Sequence, residues 1–487
     1  MIMKHFIKIF TLILSATAFL LISKTDVSAA EAETVDITVT SSDKVKISNM
    51  TDDSYYTSCS FSSGSSITIS SDETFYGLYI TWNQNVSAWT LEYNGSSVSC
   101  GNNGFLHEYI PIKDGTSSCV INLSADASIC NIEAYSQGEL PSGVQVWETP
   151  CDSNADILVF STHADDEILF LGGILATYGG NQKLNVQIAY LCDFFYTESY
   201  REHEKLDGLW EAGIRHYPVK GSFKDMGSRS LELAMSQYNY DDVLSYVTGC
   251  IRCFKPLVAV TQDLDGEYGH GGHMLFAKAV YDAVGISADE SYYPDSASEY
   301  GTWDVPKTYF HLYTENQIKL NLTVPLPNMG GRTAIQVAQD AYDRHVSQHK
   351  WDFAITDSGN ATTGNAAYSC STFGLYRSLV GADTGNDMLE NVTTYEEQER
   401  LNKEQLEKES REQASIQESI EASVAEEYNT DNSTDKTSKG GSPVRLLINI
   451  IAIIIVAVII GLQFGRTKNL YKKKYDENKD EFKKDNE

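Results

Sequence analysis

Between residues 155 and 284, short apolar runs alternate with segments of helical periodicity, and this alternation restricts the possible folds more than any other feature. The apolar runs are Ala155–Phe160, interrupted only by Asp156, then Val186–Leu191 and Leu257–Thr261. Such runs are typical of strands buried on both faces of a parallel sheet. The intervening and following segments predict helices at Leu169–Tyr178, Arg201–Ala212, Asp241–Cys253 and Met274–Val284. This alternation predicts a doubly wound α/β domain with an open parallel sheet, in which ligands bind at the carboxyl ends of the strands.

The region before it, residues 31–150, is rich in Ser, Thr, Val, Ile and Tyr and has frequent turn residues. Val35–Val39, Ser66–Ile69 and Leu78–Trp82 alternate with a period of two, which predicts half-buried strands. Many short strands at regular spacing predict an all-β sandwich or jelly-roll domain. Its aromatic side chains are candidates either for a glycan-binding face or for the core: Trp82, Trp89 and Tyr93.

Residues 1–30 have the layout of a secretory signal peptide. Lys4 and Lys8 flank the start of the apolar run Phe10–Ile22, and the small residues Val27–Ala30 follow it. An extracellular location would allow disulfides, for which the N-terminal region offers Cys59, Cys100, Cys119 and Cys130. The odd total of nine cysteines would leave at least one thiol without an intramolecular partner.

The other end of the chain predicts a membrane anchor. Residues 445–465 include the apolar stretch Leu446–Phe464, which is long enough to cross about 30 Å of hydrocarbon. The lysines and arginine of residues 466–487 predict a cytoplasmic tail by the positive-inside rule. Residues 394–444 are charged or polar and predict a helical and flexible stalk. We therefore expect a single-pass type I protein of the cell membrane with its folded domains outside.

The net charge of −30 argues against nucleic acid as a partner. More specific chemistry follows the first apolar run, where His163 precedes the three acidic residues Asp165, Asp166 and Glu167. Three acids beside a histidine at the end of a buried strand are costly unless a cation balances them. Imidazole and carboxylate together suit Zn²⁺, whereas an acidic helix cap would explain the same residues without metal. This segment alone leaves both explanations open.

A second polar segment follows the third apolar run and favours the metal. Residues 262–273 end in His270-Gly271-Gly272-His273 and precede a predicted helix. Because this segment also leaves the carboxyl end of a buried strand, it is placed to face the first one. Two histidines and one carboxylate would leave a coordination position open for water, as in catalytic zinc sites.

The two segments resemble motifs of the PIG-L (LmbE-like) family of N-acetylglucosaminyl deacetylases. HADDE at 163–167 is similar to the family's HPDDE-type motif, and GHGGH at 269–273 is similar to its second, His-x-x-His motif. The resemblance extends from about Ala155 to Glu390, with Arg201 and Glu204 in an R-x-x-E pattern and His345 and Gln348 in an H-x-x-Q pattern. It implies a Rossmann-like zinc-dependent deacetylase domain over residues 151–393.

The resemblance also implies a role for each matching residue. His163, Asp166 and His273 are the expected zinc ligands. Asp165 is the expected general base, and His270 is expected to stabilise the oxyanion or to help protonate the departing amine.

The resemblance also bears on four further positions. Arg201 stands where the family has a substrate-contacting arginine, although a surface salt bridge to Glu204 would explain it equally simply. Glu167 is expected to support a metal ligand from outside the coordination shell. Gly272 departs from the family, which often has Asp there, so another acid (Asp263, Asp265 or Glu267) is a candidate partner for His270. A milder departure is Ala164, which stands in the place of the usual proline.

The expected activity is removal of N-acetyl groups from N-acetylglucosamine-type amino sugars in an extracellular glycan, glycolipid or cell-wall substrate. Two alternatives remain open from the sequence. One is a zinc amidohydrolase acting on another acyl amide. The other is a non-catalytic surface protein that binds glycans through its β domain and carries a degenerate deacetylase domain.

Overall fold

A computed structural model describes residues 30–364 and 366–431 of the chain. The predicted signal peptide apart from Ala30, the predicted transmembrane helix at 445–465 and the predicted basic tail at 466–487 lie outside the described residues. So does the predicted stalk beyond residue 431. Within the two described ranges, no helix is both long enough and apolar enough to span a bilayer. The location of the protein therefore stays a prediction.

The N-terminal region folds into one antiparallel sheet of eight strands. They are β1 (Thr34–Val35), β2 (Thr38–Ser41), β3 (Cys59–Phe61), β4 (Ser66–Trp82), β5 (Trp89–Tyr93), β6 (Ser96–Cys100), β7 (His107–Leu123) and β8 (Ala127–Tyr135). The order is β1-β8-β4-β7-β5-β6, with β2 paired to β4 and β3 paired to β8. The pairing of β4 with β7 is interrupted between Ser70 and Phe75. Ile67 and Ile80, on either side of this break, lie in the same apolar core, so the bent sheet covers a core much as the predicted sandwich would.

The aromatic and cysteine side chains of this sheet are mostly internal. Trp82 and Trp89 are buried, and the indole N–H of each donates to Glu108 Oε2, at 3.0 and 3.1 Å. Tyr93 is partly buried against the core. These positions correspond to the core-packing alternative for the three aromatic residues. All nine cysteines are free, so the disulfides considered for the N-terminal four are not formed.

The α/β region is built on a seven-stranded sheet. Its strands are β9 (Ile157–Ser161), β10 (Val186–Cys192), β11 (Val219–Phe223), β12 (Val258–Thr261), β13 (Lys307–His311), β14 (Gln317–Lys319) and β18 (Thr372–Ser378). The order is β11-β10-β9-β12-β13-β18-β14. The first five strands are parallel, as predicted, whereas β18 runs antiparallel to both β13 and β14. The α/β prediction is thus confirmed, but the sheet is mixed because β18, which follows about 50 residues after β14, enters between β13 and β14 in the opposite direction.

Helices cover this sheet. They are α1 (Asp166–Leu169), α2 (Gly172–Ile174), α3 (Tyr200–Glu211), α4 (Leu231–Gln237), α5 (Tyr240–Phe254), α6 (Gly271–Ile286), α7 (Pro294–Tyr300) and α8 (Ala334–Tyr342). A π-helix at Leu175–Asn181 follows α2, and short 3-10 helices lie at Ile47–Met50, Glu267–Gly269, Pro327–Met329 and Val346–Gln348.

The helix predicted at Leu169–Tyr178 is instead divided among α1, α2 and the π-helix. Two glycines at the start of α2 allow other segments of the same chain to pack closely against it. A Cβ on Gly172 would lie 2.9 Å from the Cβ of Ala338, and one on Gly173 would lie 2.7 Å from Leu322. The segment is therefore shaped by tertiary packing that helical periodicity does not reveal.

A separate three-stranded antiparallel sheet comprises β15 (Phe353–Ile355), β16 (Asn360–Thr363) and β17 (Ala366–Ser369). The chain divides into two compact units, residues up to 400 and residues from 401 onward. The helix α9 (Tyr395–Asp431) begins in the first unit and forms the described part of the second. Most of its described side chains are exposed, and the stalk stays a prediction.

Candidate metal and catalytic site

The two predicted metal-binding segments leave adjacent strands of the sheet. β9 ends at Ser161, just before His163, and β12 ends at Thr261. These strands pair in parallel, with Val159 opposite Val260. The sheet order reverses between them, since β10 and β11 lie on one side and β13 on the other. A crevice for ligands forms outside the carboxyl ends of the strands at such a reversal.

The structure brings the three predicted metal ligands together. Oδ2 of Asp166 lies 2.8 Å from Nδ1 of His163 and 3.0 Å from Nε2 of His273. All three side chains are buried. Burial alone would raise the pKa of the Asp166 carboxyl, but the imidazoles of His273 and His163 hold that pKa well below its usual range. Ligand atoms of the two histidines and His270 also lie within 4.8 Å of one another.

The protonation of His273 tests whether this group fits a cation. Its Nδ1 lies 2.8 Å from Oε2 of Glu267, an acceptor, so Nδ1 carries the proton. Nε2 is buried and has no hydrogen-bond partner of good geometry among the described residues, although it faces the Asp166 oxygen. A lone pair facing a carboxylate in a buried place requires a proton or a cation between them. A divalent ion that accepts nitrogen and carboxylate ligands therefore fits these residues.

Glu267 holds His273 from behind and is itself held by a second histidine. Its Oε1 lies 2.7 Å from Nδ1 of His311, whose Nε2 lies 2.8 Å from the carbonyl oxygen of Ser369. Burial would raise the pKa of Glu267, but the hydrogen bonds from His273 and His311 lower it to about 2. Carboxylates in this position fix the tautomer and orientation of a metal-binding imidazole. His311 was absent from the sequence prediction because it lies 44 residues away on β13.

His270 lacks the carboxylate partner that the sequence comparison led us to seek. Its Nδ1 accepts a hydrogen bond from the backbone N–H of Gly272 at 3.2 Å. Among the described residues, neither Asp263 nor Asp265 forms a hydrogen bond to His270, and Glu267 binds His273 and His311 instead. Burial, with the neighbouring His163 and His273, lowers the pKa of His270 to about 3. His270 is therefore neutral near pH 7, with its Nε2 proton available for donation.

Asp165 precedes the predicted ligand Asp166 and lies in an unusual environment for an acid. Burial and the adjacent Asp166 carboxylate raise the pKa of Asp165 to about 7, against the opposing effect of Arg201. A carboxyl with such a pKa is suited to accept and return a proton near neutral pH. Glu167, which was expected to support a metal ligand, contacts Asp165 instead, because its Oε2 accepts the Asp165 backbone N–H at 2.9 Å.

Arg201 is buried rather than at the surface. Its Nη2 donates to the Ala164 carbonyl at 2.6 Å and lies 3.4 Å from Oδ1 of Asp165. The guanidinium also stacks over the Phe194 ring, 4.0 Å from its centroid. The salt bridge to Glu204 that the sequence allowed is not formed. Glu204 instead accepts hydrogen bonds from the Tyr56 hydroxyl and from Ser347.

Five of the predicted site residues line a cavity of about 640 Å³: His163, Asp165, Asp166, Arg201 and His270. Two groups on loops distant in sequence complete its wall and were not predicted, Asp225 and Trp351, whereas Tyr268 belongs to the predicted segment 262–273. Asp225 Oδ1 lies 3.5 Å from Nε2 of His163, and Trp351 is 55% exposed. No motif or periodicity marks these loops, so only the tertiary fold identifies their residues as part of the site.

Comparison with known proteins shows which enzymes part of this chain resembles. No protein-family model matches the chain. It is 31% identical over 128 residues to the 1D-myo-inositol 2-acetamido-2-deoxy-alpha-D-glucopyranoside deacetylase 2 of Saccharopolyspora erythraea, covering 25% of this chain and 46% of that protein. The corresponding deacetylase of Streptomyces scabiei is 28% identical over 120 residues, or 23% and 36% of the two chains. Part of this chain is similar to sugar deacetylases.

The extent of the similarity differs among the relatives. The chain spans less than half the length of these two curated relatives. A match of 23% identity to deacetylase 1 of Frankia casuarinae covers 49% of this chain and 95% of that protein. Among solved structures, N,N'-diacetylchitobiose deacetylase from Pyrococcus horikoshii is 14% identical, with a TM-score of 0.32 over 39% of this chain and 70% of that one. A TM-score this low carries no argument here. The curated relatives support the resemblance to PIG-L deacetylases that the two motifs suggest.

Proposed function

We propose that this protein is a zinc-dependent hydrolase that removes N-acetyl groups from N-acetylglucosamine-type amino sugars in an extracellular glycan, glycolipid or cell-wall substrate. The observation that supports it most strongly is the convergence of His163, Asp166 and His273 around one point. His163 and Asp166 line the same cavity as Asp165. The similarity to proteins named as deacetylases of an acetamido sugar supplies the type of bond.

His163, Asp166 and His273 would hold the zinc ion. An ion bound there supplies a coordinated water of lowered pKa and polarises a carbonyl oxygen. Glu267 keeps the Nδ1 proton of His273 in place and leaves Nε2 free as a ligand. The predicted leader and membrane anchor would place this site outside the cell.

Asp165 would handle the proton in the reaction. Its carboxylate accepts a proton from the attacking water as the carbon–oxygen bond forms, and it returns the proton to nitrogen as the carbon–nitrogen bond breaks. Acetate and a free amino sugar leave, so all atoms and protons are accounted for. Neutral His270 would donate its Nε2–H to the developing oxyanion. Its low pKa favours this role over that of a cationic acid for the amine.

The direct test uses the full chain in detergent, loaded with zinc, and a panel of N-acetylated glycans and non-sugar acyl amides. We expect release of acetate and of free amine in equal amounts from amino-sugar substrates, and loss of release after chelation. Asp165→Asn should lower turnover by roughly 10²–10⁴-fold while retaining the metal. Full activity in Asp165→Asn would contradict the assigned base.

The panel also separates the two alternatives. Release only from non-sugar amides would favour a zinc amidohydrolase of other specificity. The glycan-binding alternative draws on Gly272, because the missing acid leaves His270 without a carboxylate partner. Binding of glycans without any acetate release by the zinc-loaded chain would favour it.

A further inference from the structure

The backbone at Asp165 has a conformation that non-glycine residues rarely adopt. Its φ is 119°, whereas the eleven other non-glycine residues of positive φ in the described ranges have values between 45° and 64°. Those eleven lie near the left-handed helical region, and Asp165 lies well outside it. Such strain persists only where the surrounding structure fixes the backbone, and it is concentrated at functional sites.

The peptide group that precedes the Asp165 Cα forms hydrogen bonds to buried side chains through both its carbonyl oxygen and its N–H. The Ala164 carbonyl oxygen accepts from Arg201 Nη2 at 2.6 Å, and the Asp165 N–H donates to Glu167 Oε2 at 2.9 Å. These two atoms belong to one planar unit, so holding both fixes the orientation of its plane. Charge-assisted hydrogen bonds of this kind are about twice as strong as neutral ones.

The peptide group after Asp165 is fixed as well. The Asp165 carbonyl oxygen accepts from the backbone N–H of Ile168 at 3.1 Å and of Leu169 at 2.9 Å, at the start of α1. With the planes on both sides held, the φ and ψ angles of Asp165 are determined. The direction of its side chain, which lines the cavity, is then determined to within its own rotamers.

Glu167 needs a support of its own, and His345 is placed to give it. Nε2 of His345 lies 3.5 Å from Oε1 of Glu167, and both residues are fully buried. Neither ring nitrogen of His345 has a hydrogen-bond partner among the described residues, so this carboxylate is the group it faces most closely. Gly208 on α3 makes room for the ring, because a Cβ there would lie 2.8 Å from Nε2.

One face of α3 therefore contacts both the Ala164 carbonyl and the His345 ring. Arg201 and Gly208 are seven residues apart on α3, which is two helical turns, so they lie on the same face. Arg201 donates a hydrogen bond to the Ala164 carbonyl oxygen, and Gly208 leaves space for the His345 ring beside Glu167.

We propose that Arg201, Glu167 and His345 are positioning residues that hold the Ala164–Asp165 peptide group in a strained orientation and thereby direct the Asp165 carboxylate into the cavity. The inference rests on the proposed function, because it concerns the proposed general base. Under this proposal Arg201 aligns the base, which goes beyond the substrate contact expected from the sequence. His345 also gains a role, which its H-x-x-Q pattern did not assign to it.

The first test compares His345→Met with His345→Gln, whose polar amide group can face the Glu167 carboxylate as the imidazole does. We expect kcat of His345→Met to fall roughly 10–100-fold, with KM and zinc content unchanged, and His345→Gln to recover most of the loss. His203→Met is the matched control, since His203 is equally buried and lies on α3 outside the cavity. It should lower the melting temperature without lowering kcat. Normal kcat in His345→Met, or equal damage in His345→Gln, would overturn the inference.

The second test measures the strain directly and does not need activity. Asp165→Gly and Asp165→Asn both remove the carboxylate, but only glycine adopts a φ of 119° freely. We expect the glycine variant to melt higher than the asparagine variant, by about 2 °C or more. At Asp242, an exposed residue in the first turn of α5, the same pair should show the opposite order.

The outcomes of the two tests separate the inference from the proposed function. Wild-type protein that releases no acetate would remove the proposed function, whatever the order of the melting temperatures. Active wild-type protein with Asp165→Gly melting no higher than Asp165→Asn would remove the inference alone.

Discussion

His107 and His203 meet where the N-terminal sheet packs on α3. His273, on α6, and His311, at the end of β13, lie on either side of Glu267. In the first pair, Nε2 of His107 lies 3.0 Å from Nδ1 of His203, and the Tyr79 hydroxyl contacts the other nitrogen of His107. Burial and His203 hold the pKa of His107 well below its usual range. Burial, with a contribution from Lys205, lowers the pKa of His203 to about 3.

The second pair is buried to a similar degree but encloses a carboxylate. Glu267 lies between His273 and His311, and Asp166 faces the other nitrogen of His273. Burial would lower the pKa of His273, but Asp166 and Glu267 raise it to about 9. His203 and His273 are equally buried, yet the pKa of His203 is lowered and that of His273 is raised. The difference is that His273 has an acid within hydrogen-bonding distance. The first pair is a neutral packing contact, whereas the second binds positive charge, whether a proton or a metal ion.

Removing the acid that faces both His163 and His273 should have the largest effect. Asp166→Asn leaves His163 and His273 without the charge that gathers them, so we expect loss of bound zinc and a fall in turnover of at least about 1,000-fold. Elemental analysis of the purified protein measures the metal. Glu198→Gln, which changes an acid of the same cavity that belongs to neither group of possible metal ligands, should retain zinc. Full zinc occupancy in Asp166→Asn would show that the metal lies elsewhere.

A smaller effect is expected when the acid behind His273 is neutralised. Glu267→Gln keeps the shape of the side chain but makes the second pair more like the first, because no carboxylate then lies between the two imidazoles. Zinc affinity, measured by competition with a chelator, should fall roughly 10–100-fold. Glu108→Gln is the control, since that buried acid accepts three N–H groups in the N-terminal sheet. It should alter stability and leave zinc affinity unchanged.

The smallest effect concerns the pH dependence of stability at the first pair. His203 has a pKa of about 3 when folded and an ordinary value of 6.5, so only the unfolded chain takes up its proton between these limits. Its contribution to stability is complete above pH 6.5 and is lost as the pH falls below that value. Relative to His203→Asn, the wild type should lose about 1.4 kcal/mol of unfolding free energy between pH 7.5 and 5.5.

Denaturant titrations at the two pH values measure this difference. His349→Asn, which changes an exposed histidine outside both pairs, serves as the control and should follow the wild type. An identical pH dependence in the wild type and His203→Asn would mean that the His107–His203 contact is already charged, and the contrast between the pairs would then fail.

The parts of the fold and site that were predictable depend on local patterns. The buried strands β9, β10 and β12 were identified because their apolar runs reflect burial on both faces. His163 and His273 followed from their position just after two of these strands. The antiparallel strand β18 was not predicted, because its direction depends on pairing with β13 and not on its own composition.

Contacts between distant segments were not predictable in the same way. The hydrogen bond from His311 to Glu267 and the contact of His345 with Glu167 join residues 44 and about 180 positions apart. Glu267 itself was noticed as an acid near the motif, but the histidine it serves is His273, not His270. Only the fold decides which of several neighbouring acids faces which ring.

The order of the ligands along the chain also bears on how the protein matures. His163 and Asp166 come from the loop after β9, and His273 follows about 110 residues later, after β12. Joining these segments closes a long loop, whose entropy cost must be met by pairing β12 with β9. During synthesis or export, the first two ligands therefore emerge well before the third. Metal capture should consequently report completion of the central sheet, which makes zinc uptake a usable signal for its folding kinetics.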